Sequence, residues 1–440
     1  MVQGLPYLDL ESAKRAVGEI NLPGSKSVSN RVLLLAALSK GETIVHGLLD
    51  SDDTKVMLGA LHKLGLQVED LGNHSVKVHG HGLGEFPVKE ADLFMQNAGT
   101  AIRPLTAVLA VSGGSYHLHG IPRMHERPIG DLVEALKGIG ASIEYLENPG
   151  YPPLQIEQPT LKKNTVIKVA GSVSSQFLTA LLMASPIIAK HLNQAVEIEV
   201  EGELISKPYI AITLNLMKRF GVAVDNQAWQ RYIISADAEY ISPEEIWVEG
   251  DASSASYFFA LGLLAGGPIR VRGINKQSIQ GDILFADFVE RIGAQVEYSS
   301  DYVEVSAVQE GAFPRVKAFD EDFNLIPDAA MTAAVLALYA DGPCTLRNIA
   351  SWRVKETDRL DAMHAELEKI GAIVESGPDY LKITPPTNWQ NATIETYDDH
   401  RIAMCFSLAI FGGVSVRIMD PACVNKTFPT YFEEYKQLLK

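Results

Sequence analysis

The sequence predicts an α/β fold of two domains, each built from three copies of one strand–helix repeat. Three observations predict it. Six short polar motifs each run straight into an apolar helical stretch. The motifs recur at nearly constant spacing. Five of the six units then close on a second helix, a glycine and an alternating strand. At 440 residues the chain is too long for one ordinary core. Six such units account for nearly all of it, so three units per domain is the natural division.

The motifs are GSKSVSNR (Gly24–Arg31), NAGTAIR (Asn97–Arg103), GSVSSQ (Gly171–Gln176), GDASSAS (Gly250–Ser256), IPDAA (Ile326–Ala330) and YDDHR (Tyr397–Arg401). Anchored at Ser27, Thr100, Ser174, Ser253, Asp328 and Asp399, they are 73, 74, 79, 75 and 71 residues apart. The stretches that follow, such as VLLLAAL and YFFALGLLA, have no wet face. They belong in the interior of each domain, with sheets outside. Each motif then starts a buried helix, where unsatisfied N–H groups favour anions.

The second helices are amphipathic. Five end alike, in KLGLQVE, GIGASIEY, RFGVAVD, RIGAQVEY and KIGAIVE. The glycine falls where a helix stop wants a left-handed residue. The second unit's helix is expected to open with Pro128 at its first position. The sixth unit ends in the amphipathic helix Pro429–Leu439. Glycines beside polar motifs mark crossings between domains at Leu22–Ser25 and Glu249–Asp251. The expected domains are 25–249, and 1–24 with 250–440.

The net charge of −16 disfavours nucleic acid, whose binders need a basic face. Three cysteines without a CxxC pair suggest neither a disulfide framework nor a zinc ribbon, and fit a reduced cytosolic compartment. The first residues carry Asp and Glu and no long apolar core, unlike a secretory signal. The longest apolar run, Phe177–Ala189, has about 13 residues against the roughly 20 needed to span a bilayer.

Against that acidic background, Lys26, Arg31, Arg103, Arg127, Arg353, Lys355, Arg359, Arg401 and Lys426 recur at motif positions. Several charge-assisted hydrogen bonds of about 1.5–3 kcal/mol each could hold a phosphate and a carboxylate. Gly24-Ser25-Lys26-Ser27 lacks the glycine spacing of a Walker A loop, and no GxGxxG is present. The small residues of Asn97–Thr100 would let backbone N–H groups approach an anion. Asp328 and Glu356 are carboxylates amid cations, suited to proton transfer or to stabilising a transient positive carbon. Read alone, Asp328 fits a helix cap and Glu356 a salt-bridge partner. The histidines show no HExxH. His79/His81 and His117/His119 alternate as exposed strand residues would, and no metal set is expected. His400 would orient Arg401, and Cys405 belongs to the core.

Ten segments in order, LPGSKSVSNR, NAGTAIRPL, PRMHERPIG, GSVSSQFLTALLM, SKPYIAITLNLMK, EGDASSASYF, IPDAAMT, WRVKETDRL, DDHRIAMCFSLA and KTFPTYF, resemble the EPSP synthase (3-phosphoshikimate 1-carboxyvinyltransferase) family, in its bacterial glyphosate-sensitive class. The resemblance runs essentially end to end. It implies an enolpyruvyl transferase-like fold: two domains, each of three βαβαββ repeats in an inside-out α/β barrel, with the ligand cleft between them. It implies transfer of enolpyruvyl from phosphoenolpyruvate to the 5-hydroxyl of shikimate 3-phosphate through a tetrahedral intermediate, with no cofactor.

The same resemblance assigns shikimate 3-phosphate to Lys26, Ser27, Arg31, Ser174, Ser175, Gln176, Ser206, Asp328 and Lys355. It assigns phosphoenolpyruvate to Lys26, Gly99, Arg127, Gln176, Arg359, Arg401 and Lys426. Asp328 would act as base, with Glu356 and Lys26 handling protons at the methylene and phosphate. Ser351 stands where the family usually has Asn; a shorter hydroxyl replaces an amide there. The fourth motif, GDASSAS, has no cation of its own and reads as structural. Glyphosate is expected to inhibit, and a cytoplasmic monomer without nucleic-acid or membrane partners is expected. Two rivals are a UDP-N-acetylglucosamine enolpyruvyl transferase and a non-catalytic anion-binding repeat protein. The first would need a cysteine in Ile121–Arg127, which has none. The second gives no reason for Asp328 and Glu356.

Overall fold

The computed structural model describes residues 4–308 and 316–440. The chain divides into a continuous unit, Gly24–Val248, and a discontinuous one, Met1–Pro23 with Glu249–Lys440.

The middle repeat of the continuous unit shows the pattern. Its sheet runs Glu90–Phe94, Ser115–His119, Leu154–Glu157, Ser142–Tyr145 in spatial order. The first pair is parallel and the others antiparallel. A parallel neighbour requires a crossover. Helix Gly99–Ser112 supplies it, helix Gly130–Gly138 leads to the next strand, and a hairpin finishes the sheet. This is a βαβαββ unit. The strands alternate: Tyr116 and Leu118 are buried, while His117 and His119 face outward.

Strand exchange completes other sheets. The first repeat takes its leading strand, Glu245–Trp247, from the far end of the same unit, parallel to Lys40–His46. The fourth takes Ala16–Asn21, parallel to Gly266–Arg272. The sixth borrows Tyr7–Leu10, antiparallel to Val416–Met419. In this way each unit joins its own first and last segments by backbone hydrogen bonds.

The apolar helices are interior, as their sequences demand. Every residue of Ala252–Ala265, Ala330–Leu336 and His400–Phe406 is buried. In the continuous unit, Gly99–Ser112 packs along Ser175–Leu192 and touches Lys26–Leu38. Each Leu or Phe so buried contributes about 1.5–3 kcal/mol. Polar first residues start these helices. Ser25 accepts from Val28 N, Ser174 from Gln176 N, Asp251 from Ser254 N and Asp399 from Arg401 N. Among the described residues, no helix is long and apolar enough to cross a membrane.

The glycine stops hold, for example Gly371 after Arg359–Ile370 at φ 107°. Two boundaries differ from the sequence reading. Pro128 lies outside the helix Gly130–Gly138, and its carbonyl accepts a hydrogen bond from Arg103 instead. The last helix is Tyr431–Leu438, shorter at both ends than Pro429–Leu439. Leu439 instead bridges to Ala16, tying the chain end to an N-terminal strand.

Candidate active site

In the discontinuous unit the sequence brings three elements to one point. Trp352, fully buried, donates from Nε1 to Pro327 O at 2.7 Å. That contact pins the Ala350–Val354 turn, and the Lys355–Glu356 segment after it, beside the stretch before helix Ala330–Leu336. Asp328 stands there, but it does not cap the helix, whose cap position is Ala329. Its Oδ1 accepts from Arg359 Nη1 at 3.1 Å and faces Lys355 Nζ at 3.3 Å; its Oδ2 accepts from Arg401 Nη2 at 3.0 Å. Burial alone would raise the Asp328 pKa. Arg401, Lys355 and Arg359 reverse this and hold it well below the usual carboxylate range. Burial likewise pulls Lys355 down, against the pull of Asp328.

Arg359 is the hub. It also donates to Glu356 Oε2 at 2.9 Å and, through Nε, to Asp399 Oδ2 at 2.7 Å. Burial works against its charge, but Asp399, Glu356 and Asp328 outweigh it and raise its pKa. Asp399 does two jobs, since its Oδ1 also accepts from Arg401 N at 2.9 Å. Arg401 reaches Tyr257 Oη at 3.3 Å as well. His400 faces Asp399 at 3.6 Å, the carboxylate that also accepts from Arg401 N. Before Asp399, Tyr397 and Asp398 hold φ of 53° and 54°, a left-handed pair without glycine. Burial raises the pKa of Asp398, and Lys426, at the end of the turn Pro421–Lys426, only partly opposes this. Ser351 sits half-buried on the Trp352 turn.

The fourth motif is closer to this chemistry than its sequence suggested. Ser253 donates to the buried Asp282, which feels Asp328 and Arg401 as well as Asp251. Burial first, then Asp328, push Asp282 up to about 6.

The continuous unit gathers a second set. Lys26 is buried on the first turn of its helix, 3.4 Å from Asp53. Arg31, one turn on, donates to Thr213 Oγ1 at 2.9 Å and to Ser27 O at 2.8 Å. Burial pulls Arg31 down to about 10, still charged at neutral pH. Arg127 donates to Asn97 O at 3.0 Å and Oδ1 at 2.8 Å. Arg103, a motif cation with no role in the sequence reading, donates to Gln176 Oε1 at 2.8 Å. It fixes the amide that the family motif would place between two ligands. Ser174 and Ser175 open their helix. Ser206, in left-handed conformation at φ 54°, begins the helix Lys207–Arg219 without a side-chain cap bond.

Gly99 lies close against two of these arginines. A methyl there would lie 2.5 Å from Arg103 Nη1 and 2.8 Å from Arg127 Nη2. With glycine there, both guanidiniums can stay this close to the helix start; a methyl would make them shift.

Asn97, Asp399 and Trp352 were not singled out as site residues by the sequence. Asn97 and Asp399 lie inside motifs, which is the signal that could have found them. Cys405 is core, bonded to Thr332, with burial pushing its thiol up to about 12. Among the described residues, the one group of three metal-type ligands is Asp92, His117 and His119, which sequence alternation alone did not bring together.

The model of the EPSP synthase (3-phosphoshikimate 1-carboxyvinyltransferase) family matches residues 10–435. The chain is 60% identical over 438 residues to the 3-phosphoshikimate 1-carboxyvinyltransferase of Bordetella petrii, covering 99% of this chain and 98% of that one. It is 58% identical over 437 residues to that of Burkholderia cenocepacia, covering 99% and 100%. In fold it is similar to the EPSP synthase of Acinetobacter baumannii, with TM-score 0.78, 23% identity and 98% of each chain covered. It is also similar to the enolpyruvyl transferase NikO of Streptomyces tendae, with TM-score 0.74, 15% identity, and 99% and 98% covered. With a family match across nearly its whole length and relatives of this identity, the chain belongs to the EPSP synthase (3-phosphoshikimate 1-carboxyvinyltransferase) family.

Proposed function

We propose that this chain transfers the enolpyruvyl group of phosphoenolpyruvate to the 5-hydroxyl of shikimate 3-phosphate, releasing phosphate. Beyond family membership, one observation carries this reading. A carboxylate, Asp328, is held by Lys355, Arg359 and Arg401, with a second acid, Glu356, on the same arginine. Simple anion binding gives no use for the two acids.

Shikimate 3-phosphate is held by Lys26, Ser27, Arg31, Ser174, Ser175, Gln176, Ser206, Asp328 and Lys355, with Ser351 as a further contact. Phosphoenolpyruvate takes Lys26, Gly99, Arg127, Gln176, Arg359, Arg401 and Lys426. The electrostatics suggest how Asp328 acts as a base despite its low pKa. Anionic substrates draw charge from Lys355, Arg359 and Arg401, and the basicity of Asp328 rises as they do. Asp328 then takes the 5-hydroxyl proton as that oxygen bonds to the enol carbon, and the methylene gains a proton. In the second half the methyl loses a proton and the carbon–oxygen bond to phosphate breaks. Glu356 and Lys26 serve those transfers. Glyphosate competes with phosphoenolpyruvate, and the enzyme works as a cytoplasmic monomer.

Purified protein given both substrates, without added metal or nucleotide, is expected to release phosphate. Release with UDP-N-acetylglucosamine in place of shikimate 3-phosphate, and not with the latter, would overturn the proposal.

A further inference from the structure

We propose that Asp92, His117 and His119 form a binding site for a zinc-class divalent cation on the outer face of the continuous unit's middle sheet. The site is built by strand geometry. His117 and His119 are two apart on Ser115–His119, so both leave the same face while Tyr116 and Leu118 enter the core. The parallel neighbour places Asp92 directly opposite His117. The two imidazoles stack with centroids 4.5 Å apart and planes 6° from parallel; because an imidazole lone pair lies in its ring plane, one ring turns about its side-chain bonds for both to meet one ion.

One carboxylate reaches both rings. Asp92 Oδ1 lies 2.6 Å from His117 Nδ1, and Asp92 Oδ2 lies 3.3 Å from His119 Nε2. The ligand atoms of all three residues fall within 4.8 Å of one another. A tetrahedral ion with bonds of about 2.0–2.1 Å spaces its ligand atoms about 3.3–3.4 Å apart. The His119–Asp92 pair is already at that spacing, and the His117–Asp92 pair needs to open by less than about 1 Å. Two imidazoles and a carboxylate suit zinc rather than magnesium or calcium, and water fills the fourth position.

His79 on the same unit makes the contrast. It also meets two carboxylates, but its Nδ1 faces Glu42 at 3.1 Å and its Nε2 faces Glu69 at 2.7 Å. These point from opposite sides of one ring and cannot converge on one ion. At Asp92 the bound cation clasps two strands. Glu90–Phe94 leads to Asn97 and Gly99, and Ser115–His119 leads to the turn before Arg127. Occupancy therefore stabilises the segments that carry those residues.

The test is a Co²⁺ titration of tag-free, chelator-stripped full-length protein, followed by visible absorption and by displacement with Zn²⁺. Saturable one-to-one binding is expected, with a tetrahedral spectrum and a Zn²⁺-dependent rise in unfolding temperature. His119→Ala and Asp92→Ala, checked by far-UV circular dichroism, should each weaken binding at least about tenfold, or ~1.4 kcal/mol. His79→Ala should leave it unchanged. Absence of saturable binding, or binding that survives both His119→Ala and Asp92→Ala, would overturn the assignment.

Discussion

The two units hold their buried arginines differently, although Lys26 of the continuous unit does face a carboxylate, Asp53. In the continuous unit, Arg31 and Arg127 are held by hydroxyls and amide or carbonyl oxygens. Neutral partners fix a guanidinium without cancelling its charge, so the group stays ready for an incoming anion. In the discontinuous unit, Arg359 and Arg401 are held by Asp328, Glu356 and Asp399. There an anion must compete with carboxylates already in place, and every cation it draws away changes the basicity of an acid. The first arrangement suits binding. The second suits proton transfer coupled to binding.

The sharpest way to break this contrast is Asp328→Ala. Turnover should fall by about 10²–10⁴-fold while both ligands still bind, measured by phosphate release and equilibrium binding. Near-normal turnover would remove Asp328 from proton transfer. Next is Asp399→Ala, which removes a fully buried carboxylate from Arg359. Breaking a buried pair this way costs about 3–5 kcal/mol, read in urea unfolding. A loss below about 1 kcal/mol, the range of surface pairs, would mean Asp399 does not compensate the arginine.

Asp282→Asn should do the opposite. Its folded pKa of about 6 lies above the unfolded value, so its favourable contribution is present below that unfolded value and fades as pH rises towards 6. Asn mimics the protonated form and should stabilise the protein by about 1–3 kcal/mol at pH 7, with roughly half that gain at pH 5. A gain that grew on acidification would refute the assignment. The smallest effect belongs to the other unit. Gly99→Ala should push apart Arg103 and Arg127 and weaken glyphosate inhibition about tenfold, or ~1.4 kcal/mol, in inhibition assays against phosphoenolpyruvate. Equal inhibition of variant and wild type would mean that the closeness of those guanidiniums to Gly99 is not used.

Much of this is legible in the sequence alone. The spacing of six motifs revealed the repeat, and glycine stops such as Gly371 fell where helices end. Pro128 departs from its sequence expectation because propensity marks a good first helical residue but not the Arg103 donor that claims its carbonyl. Asp328 read as a cap because local sequence shows the helix start and hides the three cations. His117 and His119 read as plain strand residues because Asp92 is 25 positions away.

The sequence by itself determined the local order: periodic apolar helices, polar starts, and alternating strands, all set by interactions a few residues long. Only the tertiary structure decided which motif residues meet. Strand exchange by Glu245–Trp247, Ala16–Asn21 and Tyr7–Leu10 leaves no mark on spacing, because hydrogen bonds between strands do not depend on sequence distance. The same holds for charge. Coulomb energy depends on separation in space and on burial, so whether Arg359 is a surface cation or the hub of Asp328, Glu356 and Asp399 is settled by packing alone.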